Sequence, residues 1–253
     1  MNSKNKISAV IITKNEELNI ERCLKSIQWV DEIVVVDSNS TDKTIEICNR
    51  YNCKVINSEW FGFGRTKKLA VDSASNNWIL SIDSDEEVTQ ELESTIKEIL
   101  KDPKFNGYKI KRKSYYLGKM INHCGWNSDY PLRLFNREFG NFNEKNIHES
   151  INVKGKVGQI ETILLHYTYP TISSHIIKLD KYTELQAREL KKKGRHYSLF
   201  AVALFSIYKF INMYFLHLGF LDGKEGFVLC SNSAYGVYLK YLKLWELNLN
   251  NGK

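Results

Sequence analysis

An α/β fold with a doubly wound, mainly parallel sheet, followed by a helical C-terminal region, is predicted for this 253-residue chain. Three observations predict it. Short β-branched runs alternate with helix-period segments up to about residue 100. Turn-rich polar residues follow three of those runs, and basic and apolar residues concentrate together in the last third.

The first strand is expected over 7–13, with Asn15 able to cap the next helix, where Ile20, Cys23, Leu24 and Ile27 share a face. A second buried strand covers 32–37 and ends in Asp37-Ser-Asn-Ser-Thr-Asp42. A helix to about Tyr51 and a strand at 53–57 follow, and Gly62-Phe-Gly64 breaks the chain before a helix near 66–75. The fourth strand, 78–82, runs into Asp83-Ser84-Asp85-Glu86, and Leu92, Ile96, Ile99 and Leu100 mark another helix. Further strands are expected at 108–113, 133–136 and 162–166. From His175 a helix carries Ile176, Leu179, Thr183, Ala187 and Leu190 and stops at Lys191-Lys-Lys193-Gly194. The expected division is a catalytic domain over 1–174 and a helical region over 175–253.

Composition narrows the class. With 43% apolar and 26% charged residues, disordered and collagenous chains are excluded. Five scattered cysteines without a C-x-x-C pair argue against a disulfide framework or zinc ribbon and for a reducing, cytoplasmic location; no signal peptide is visible. The net charge of +7 is uneven: residues 1–174 hold 24 basic and 23 acidic side chains, residues 175–253 hold 12 and 6. Basic and apolar together favour an anionic membrane surface over nucleic acid.

In doubly wound sheets ligands bind beyond the carboxyl ends of the strands. There Asp83 and Asp85, two residues apart on a strand-end turn, can hold a hard divalent cation shared with phosphate oxygens; the bland reading is a helix N-cap with an acidic first turn. An EF-hand is excluded because its sixth-position glycine would be Val88. Asp37 can accept from a base or ribose, or close an Asx turn. Arg65, Lys67 and Lys68 open a helix and can hold a diphosphate, although Gly62-Phe-Gly64 lacks the pattern of a dinucleotide loop. His148 and Glu149 offer a metal ligand and a general base, or a structural pair.

Three motifs in order, Ile11-Ile-Thr-Lys-Asn-Glu-Glu, Val36-Asp-Ser-Asn-Ser-Thr-Asp and Ser81-Ile-Asp-Ser-Asp-Glu, resemble the family 2 glycosyltransferases, which have the GT-A fold. Tyr116-Leu-Gly-Lys-Met, His123-Cys-Gly-Trp, Arg133-Leu-Phe, Asn146-Ile-His-Glu-Ser, Gly219-Phe-Leu-Asp-Gly-Lys-Glu-Gly-Phe and Lys240-Tyr-Leu-Lys further resemble the bacterial lipopolysaccharide inner-core β-glucosyltransferase branch. The resemblance implies a metal-dependent, inverting transfer of a sugar, glucose in that branch. The donor would be a nucleotide sugar, UDP-linked, and the acceptor a lipid-linked glycan such as an inner-core heptose. It places Thr13, Glu16 and Asp37 at donor-nucleotide positions, with Asp83 and Asp85 as the D-x-D that holds Mg or Mn. His148 is a further candidate ligand. The family's catalytic-base motif has no clean match, which leaves Glu149, preferred for its motif, and Asp129. The rivals are a non-catalytic nucleotide-sugar or glycolipid-binding module, and a nucleotidyltransferase, which would need a basic loop after the first strand where this chain has Thr-Lys-Asn-Glu-Glu.

Residues 199–221 are almost wholly apolar or aromatic, with Lys209 and His217 as the ionisable exceptions. The length suits a bilayer, but a lysine at its centre costs about 2.5–3.5 kcal/mol on insertion scales. Helices lying on the inner leaflet of the cytoplasmic membrane are expected, against burial on the catalytic domain or a homo-oligomer interface.

Overall fold

The computed structural model describes residues 5–143 and 150–249. Its first strands, β1 (Ile7–Thr13), β2 (Glu32–Asp37), β3 (Lys54–Asn57) and β4 (Trp78–Ser81), pair in parallel in the order β3-β2-β1-β4. Helices α1 (Ile20–Ser26), α2 (Thr44–Arg50) and α3 (Phe63–Asp72) form the crossovers. β1 is buried on both faces: Ile7, Ala9 and Ile11 pack with α1 and α2, while Val10 packs with Ala70 and Val71 of α3. A strand covered on both sides reads as a continuous apolar run, which is why these elements show so clearly in the sequence.

Beyond β4 come β5 (Glu86–Val88), α4 (Gln90–Ile99), β6 (Gly107–Tyr116), β7 (Lys119–Met120), β8 (Leu132–Asn136), β9 (Gly140–Phe142), β10 (Ile151–Val153) and β11 (Val157–Tyr169). The main sheet continues past β4 as β8-β6-β11-β5, with antiparallel β4–β8, β6–β8 and β5–β11 pairs, and β9 and β10 form a separate hairpin. This is the expected α/β class, parallel over β1 to β4 and mixed beyond it.

Two local expectations are corrected. Asn15 does not cap α1, which begins after Asn19; it adopts φ 54°, and its Oδ1 accepts from Thr41 N at 2.8 Å, tying the loop after β1 to the loop after β2. Nor do Asp83 and Asp85 cap the next helix. Thr89 caps α4, accepting from Leu92 N, and β5 intervenes.

The chain forms two compact units: 1–112 with 129–166, and 113–128 with 167–253. Residues 113–128 and 167–174 thus cluster with the C-terminal helices α5 (Ile172–Lys192), α6 (Leu199–Ile211) and α7 (Gly223–Leu249). In the second unit α7 packs on α5 and α6. The Gly219–Gly226 motif has an architectural reason: a Cβ on Gly226 would lie 2.1 Å from Gly219 O, and one on Gly219 would meet Met213 O at 2.8 Å. Buried Asp222 accepts from the backbone N–H of Asn122 (3.1 Å) and His123 (2.8 Å), fastening the turn after β7 to the start of α7.

His175 sits among these helices, stacked on Tyr169 at 4.2 Å. Asn232 Nδ2 donates to its Nδ1 (3.3 Å) and to the Tyr116 hydroxyl (3.1 Å), itself 3.0 Å from the same nitrogen. Asn232 can only donate there, so the ring proton sits on Nε2. Burial, with repulsion from Lys178, pushes His175 from 6.5 down to about 4. Between those values the unfolded chain binds a proton that the folded one refuses. Stability therefore falls as pH drops from 6.5 to 4, by about 3 kcal/mol, and this contribution stops changing below 4. Urea midpoints compared at pH 7.5 and 4.5 should fall less in His175→Gln than in wild type; an equal fall would contradict the assignment.

Among the described residues one segment, Leu199–Leu216, is long and apolar enough to cross a membrane, and only 11% of it is buried. It is not a core helix. After α6 the chain makes a π-helical turn (Asn212–Leu216) and a 3-10 turn (Gly219–Asp222) and reverses into α7. Phe200, Leu204, Ile207, Tyr208 and Ile211 remain exposed on α6.

Candidate active site

The site is built from strand ends of the first unit. Asp37 closes β2 fully buried, its carboxylate accepting from Ser40 N (2.8 Å) and the Ser40 hydroxyl. Beside it, the hydroxyls of Thr13 and Ser38 are buried and meet no hydrogen-bond partner among the described residues. Leaving such groups unsatisfied costs about 1–3 kcal/mol each unless water or a ligand supplies the partners. Glu16 is engaged locally: its carboxylate accepts from Asn19 Nδ2 at 2.9 Å, and its N–H donates to Thr44 Oγ1 at 2.8 Å.

At the end of β4, α3 and β8 converge on Asp83. Gly62, at φ 92°, precedes the first residue of α3 and lets the helix start three residues earlier than expected. Lys67, on the buried side of α3, reaches Asp83 Oδ1 at 2.9 Å, and Arg133 of β8 donates through Nη2 to Oδ2. Burial alone would raise the Asp83 carboxyl, but Arg133, then Lys67 and Arg112, outweigh it and hold it well below the usual carboxylate range. Asp83 is thus an ionised carboxylate with a cation on each oxygen. Arg65 lies on the exposed side of α3.

Asp85 stands apart from that clamp. His166 Nε2 lies 3.4 Å from its Oδ1, and both side chains are 13% exposed. Antiparallel pairing of β11 with β5 sets His166 opposite Glu86, which delivers the imidazole to the D-x-D turn. Two ligands at about 2.1 Å from one octahedral or tetrahedral ion stand about 3.0–3.4 Å apart, so this oxygen–nitrogen pair fits one divalent cation. No group of three or more His, Cys, Asp or Glu side chains gathers around a point among the described residues. The remaining ligands would then be substrate oxygens or water, as is usual for Mg.

Asp129 precedes β8 and is held by Arg112 of β6 through Nε (2.8 Å) and Nη2 (2.7 Å). Arg112 also donates to fully buried Glu86 (2.8 Å), which accepts from Arg133 at 2.6 Å. The cluster therefore runs Asp83, Arg133, Glu86, Arg112, Asp129. Glu149 and His148 lie outside the described residues. A cavity of about 620 Å³ beside the β9–β10 hairpin is lined by none of the candidate carboxylates among the described residues.

His166 has no role assigned from the sequence, and Glu86 and Arg133 appear there only within motifs. Arg112 is read there only as one cation of a basic run over 109–119 that could attract acceptor phosphates, not as a partner of Glu86 and Asp129. Ser38 belonged to a recognised turn. The local signal that marks Asp83 and Asp85, an acidic turn after an apolar run, has no counterpart at the others.

Residues 8–162 match a family model described as glycosyl transferase family 2. An uncharacterized glycosyltransferase of Rickettsia typhi is 33% identical, the alignment covering 97% of this chain and 89% of that protein. LpsC of Rhizobium meliloti, a lipopolysaccharide core biosynthesis glycosyltransferase, is 28% identical over 95% of this chain and 92% of its own. Among solved structures, S. aureus TarS 1–349 in complex with UDP-GlcNAc aligns over 98% of this chain and 92% of its own, with 14% identity and a TM-score of 0.49.

Proposed function

The chain belongs to the family 2 glycosyltransferases, and from that premise we propose that it moves a sugar, with inversion, from a UDP-linked donor to a lipid-linked glycan of the lipopolysaccharide inner core. The acceptor class is supported by the resemblance to LpsC over nearly the whole length of both chains. The observation that carries the chemistry is the split of the D-x-D: Asp83 clamped by Lys67 and Arg133, and Asp85 set against His166.

In this reading Thr13, Ser38 and Asp37 receive the base and ribose. Asp83, kept ionised, accepts from donor hydroxyls, while Lys67 and Arg133 bring positive charge to the diphosphate side. Asp85 and His166 hold a Mg or Mn ion. When bound, that ion supplies Lewis-acid neutralisation of the departing diphosphate. Asp129 takes the proton of the acceptor hydroxyl as its oxygen attacks the anomeric carbon opposite the leaving group, which inverts that centre. Glu149 is the alternative base. The test is product mass and anomeric configuration after incubation with a panel of nucleotide sugars and truncated lipopolysaccharide. Binding of a nucleotide sugar with no UDP release, whether or not acceptor is present, would favour a non-catalytic binder.

The exposed face of α6 is assigned to the inner leaflet of the cytoplasmic membrane, where a lipid-anchored acceptor resides. Charge complementarity supports it, since residues 175–253 hold twice as many basic as acidic groups. The protein should sediment with anionic phosphatidylglycerol vesicles at low salt and be partly released by high salt. Replacing Phe200, Ile207 and Tyr208 together with Glu should weaken sedimentation at least about tenfold, because each buried apolar side chain contributes about 1.5–3 kcal/mol. Wild type remaining in the supernatant, or a dimer that the triple variant dissolves, would contradict the membrane role.

A further inference from the structure

Glu86 takes no part in the chemistry proposed above, yet it is fully buried beside Asp83 and Asp85. A buried carboxylate is costly unless charged partners and hydrogen bonds compensate it. Here one oxygen does this twice: Oε1 accepts from Arg112 Nη1 at 2.8 Å and from Arg133 Nη2 at 2.6 Å. The other oxygen accepts from the backbone N–H of Asp83 at 2.9 Å. Each guanidinium also reaches a different carboxylate, Arg133 using the same Nη2 on Asp83 and Arg112 using Nε and Nη2 on Asp129.

Two guanidiniums that share one oxygen repel each other, and the negative charge between them holds them together. Asp129 itself has a side chain 41% exposed. An exposed ion pair alone holds geometry weakly, whereas Arg112, anchored at Glu86, is a fixed arm. We propose that Glu86 is a positioning residue. Through Arg112 and Arg133 it sets the place of Asp129 relative to the donor-side Asp83. The inference rests on the reading of Asp129 as the base, and it adds the element that locates that base.

Glu86→Gln keeps the shape and one acceptor oxygen but removes the charge between the guanidiniums. Transfer kcat should fall about 10- to 100-fold, the scale of an ångström-sized misplacement, with donor KM within about twofold of wild type. The deciding measurement is a double-mutant cycle with Asp129→Asn. In that background Glu86→Gln should cost less than about threefold, because the residue it positions has already lost its function. Equal losses in both backgrounds, or a donor KM that rises in step with the fall in kcat, would overturn the proposal. If the asparagine variant alone retains wild-type transfer, the base reading fails first, and the single mutant shows it. Should Glu86→Gln not fold, Arg112→Gln replaces it, with the same loss and the same non-additivity expected.

Discussion

Alanine in place of Asp85 is expected to lower sugar transfer about a thousandfold or more while shifting the thermal midpoint by no more than a few degrees. The magnitude follows from charge that develops on the departing diphosphate in a partly enclosed site. Removing a single preorganised stabilising group from such a site costs about a hundred- to a thousandfold, and losing a divalent ion removes a larger charge. Stability should be spared because Asp85 lies on the turn after β4 and belongs to neither face of the core. His166→Ala should raise the Mn concentration needed for half-maximal transfer, and direct Mn titration followed by electron spin resonance should show the same weakening. Chelator should silence wild type reversibly. Full transfer in chelator, or unchanged Mn affinity in both variants, would remove the ion from Asp85 and His166.

The second large effect is expected at the base. Asp129→Asn retains size and the ability to accept from Arg112, and it loses the capacity to take a proton. Transfer should fall about a hundred- to ten-thousandfold with donor affinity unchanged. Glu149→Gln, measured in parallel, should leave most of the rate. If the two variants exchange these outcomes, Glu149 is the base and Asp129 a tether for Arg112. Asp129 is joined to Asp83 through two arginines and Glu86, all at hydrogen-bond distance, whereas Glu149 lies outside the described residues, so the paired variants decide between them.

What could be read from the chain and what could not divide along physical lines. β1, β2 and β4 are doubly covered, so their apolar runs stand out, and the residues at or just beyond their ends, Thr13, Asp37 and Asp83, can be placed at the sheet edge from the sequence alone. The GT-A resemblance added the order of the motifs. Strands of two or three residues such as β5, β7, β9 and β10 are too short to show a period of two, and none was expected. His166 is the plainest loss. It ends a segment recognised as a strand, but its role depends on the antiparallel register of β11 with β5, a pairing about 80 residues apart in the chain. Lys67 is read from the sequence as a diphosphate ligand, but its pairing with Asp83, like that of Arg112 with Glu86, depends on tertiary structure.

The Asp37 turn shows the same limit from the other side. Its carboxylate was read as either a ligand for a nucleoside or the closure of an Asx turn, and Ser40 shows that it closes the turn. The buried hydroxyls of Thr13 and Ser38 beside it, which meet no partner among the described residues, are the further observation behind the proposal that the base and ribose bind there.

The most direct test of the account is transfer itself, with its ion and its acceptor varied together. Purified protein, UDP-sugars and truncated lipopolysaccharide would be combined with Mn, with Mg or with chelator, and the glycolipid weighed by mass spectrometry. The product should gain one hexose and a β-anomeric proton for an α-linked donor, and lose both in chelator and in the Asp85→Ala variant. A glycolipid of unchanged mass with every donor, alongside UDP release indifferent to acceptor, would contradict it.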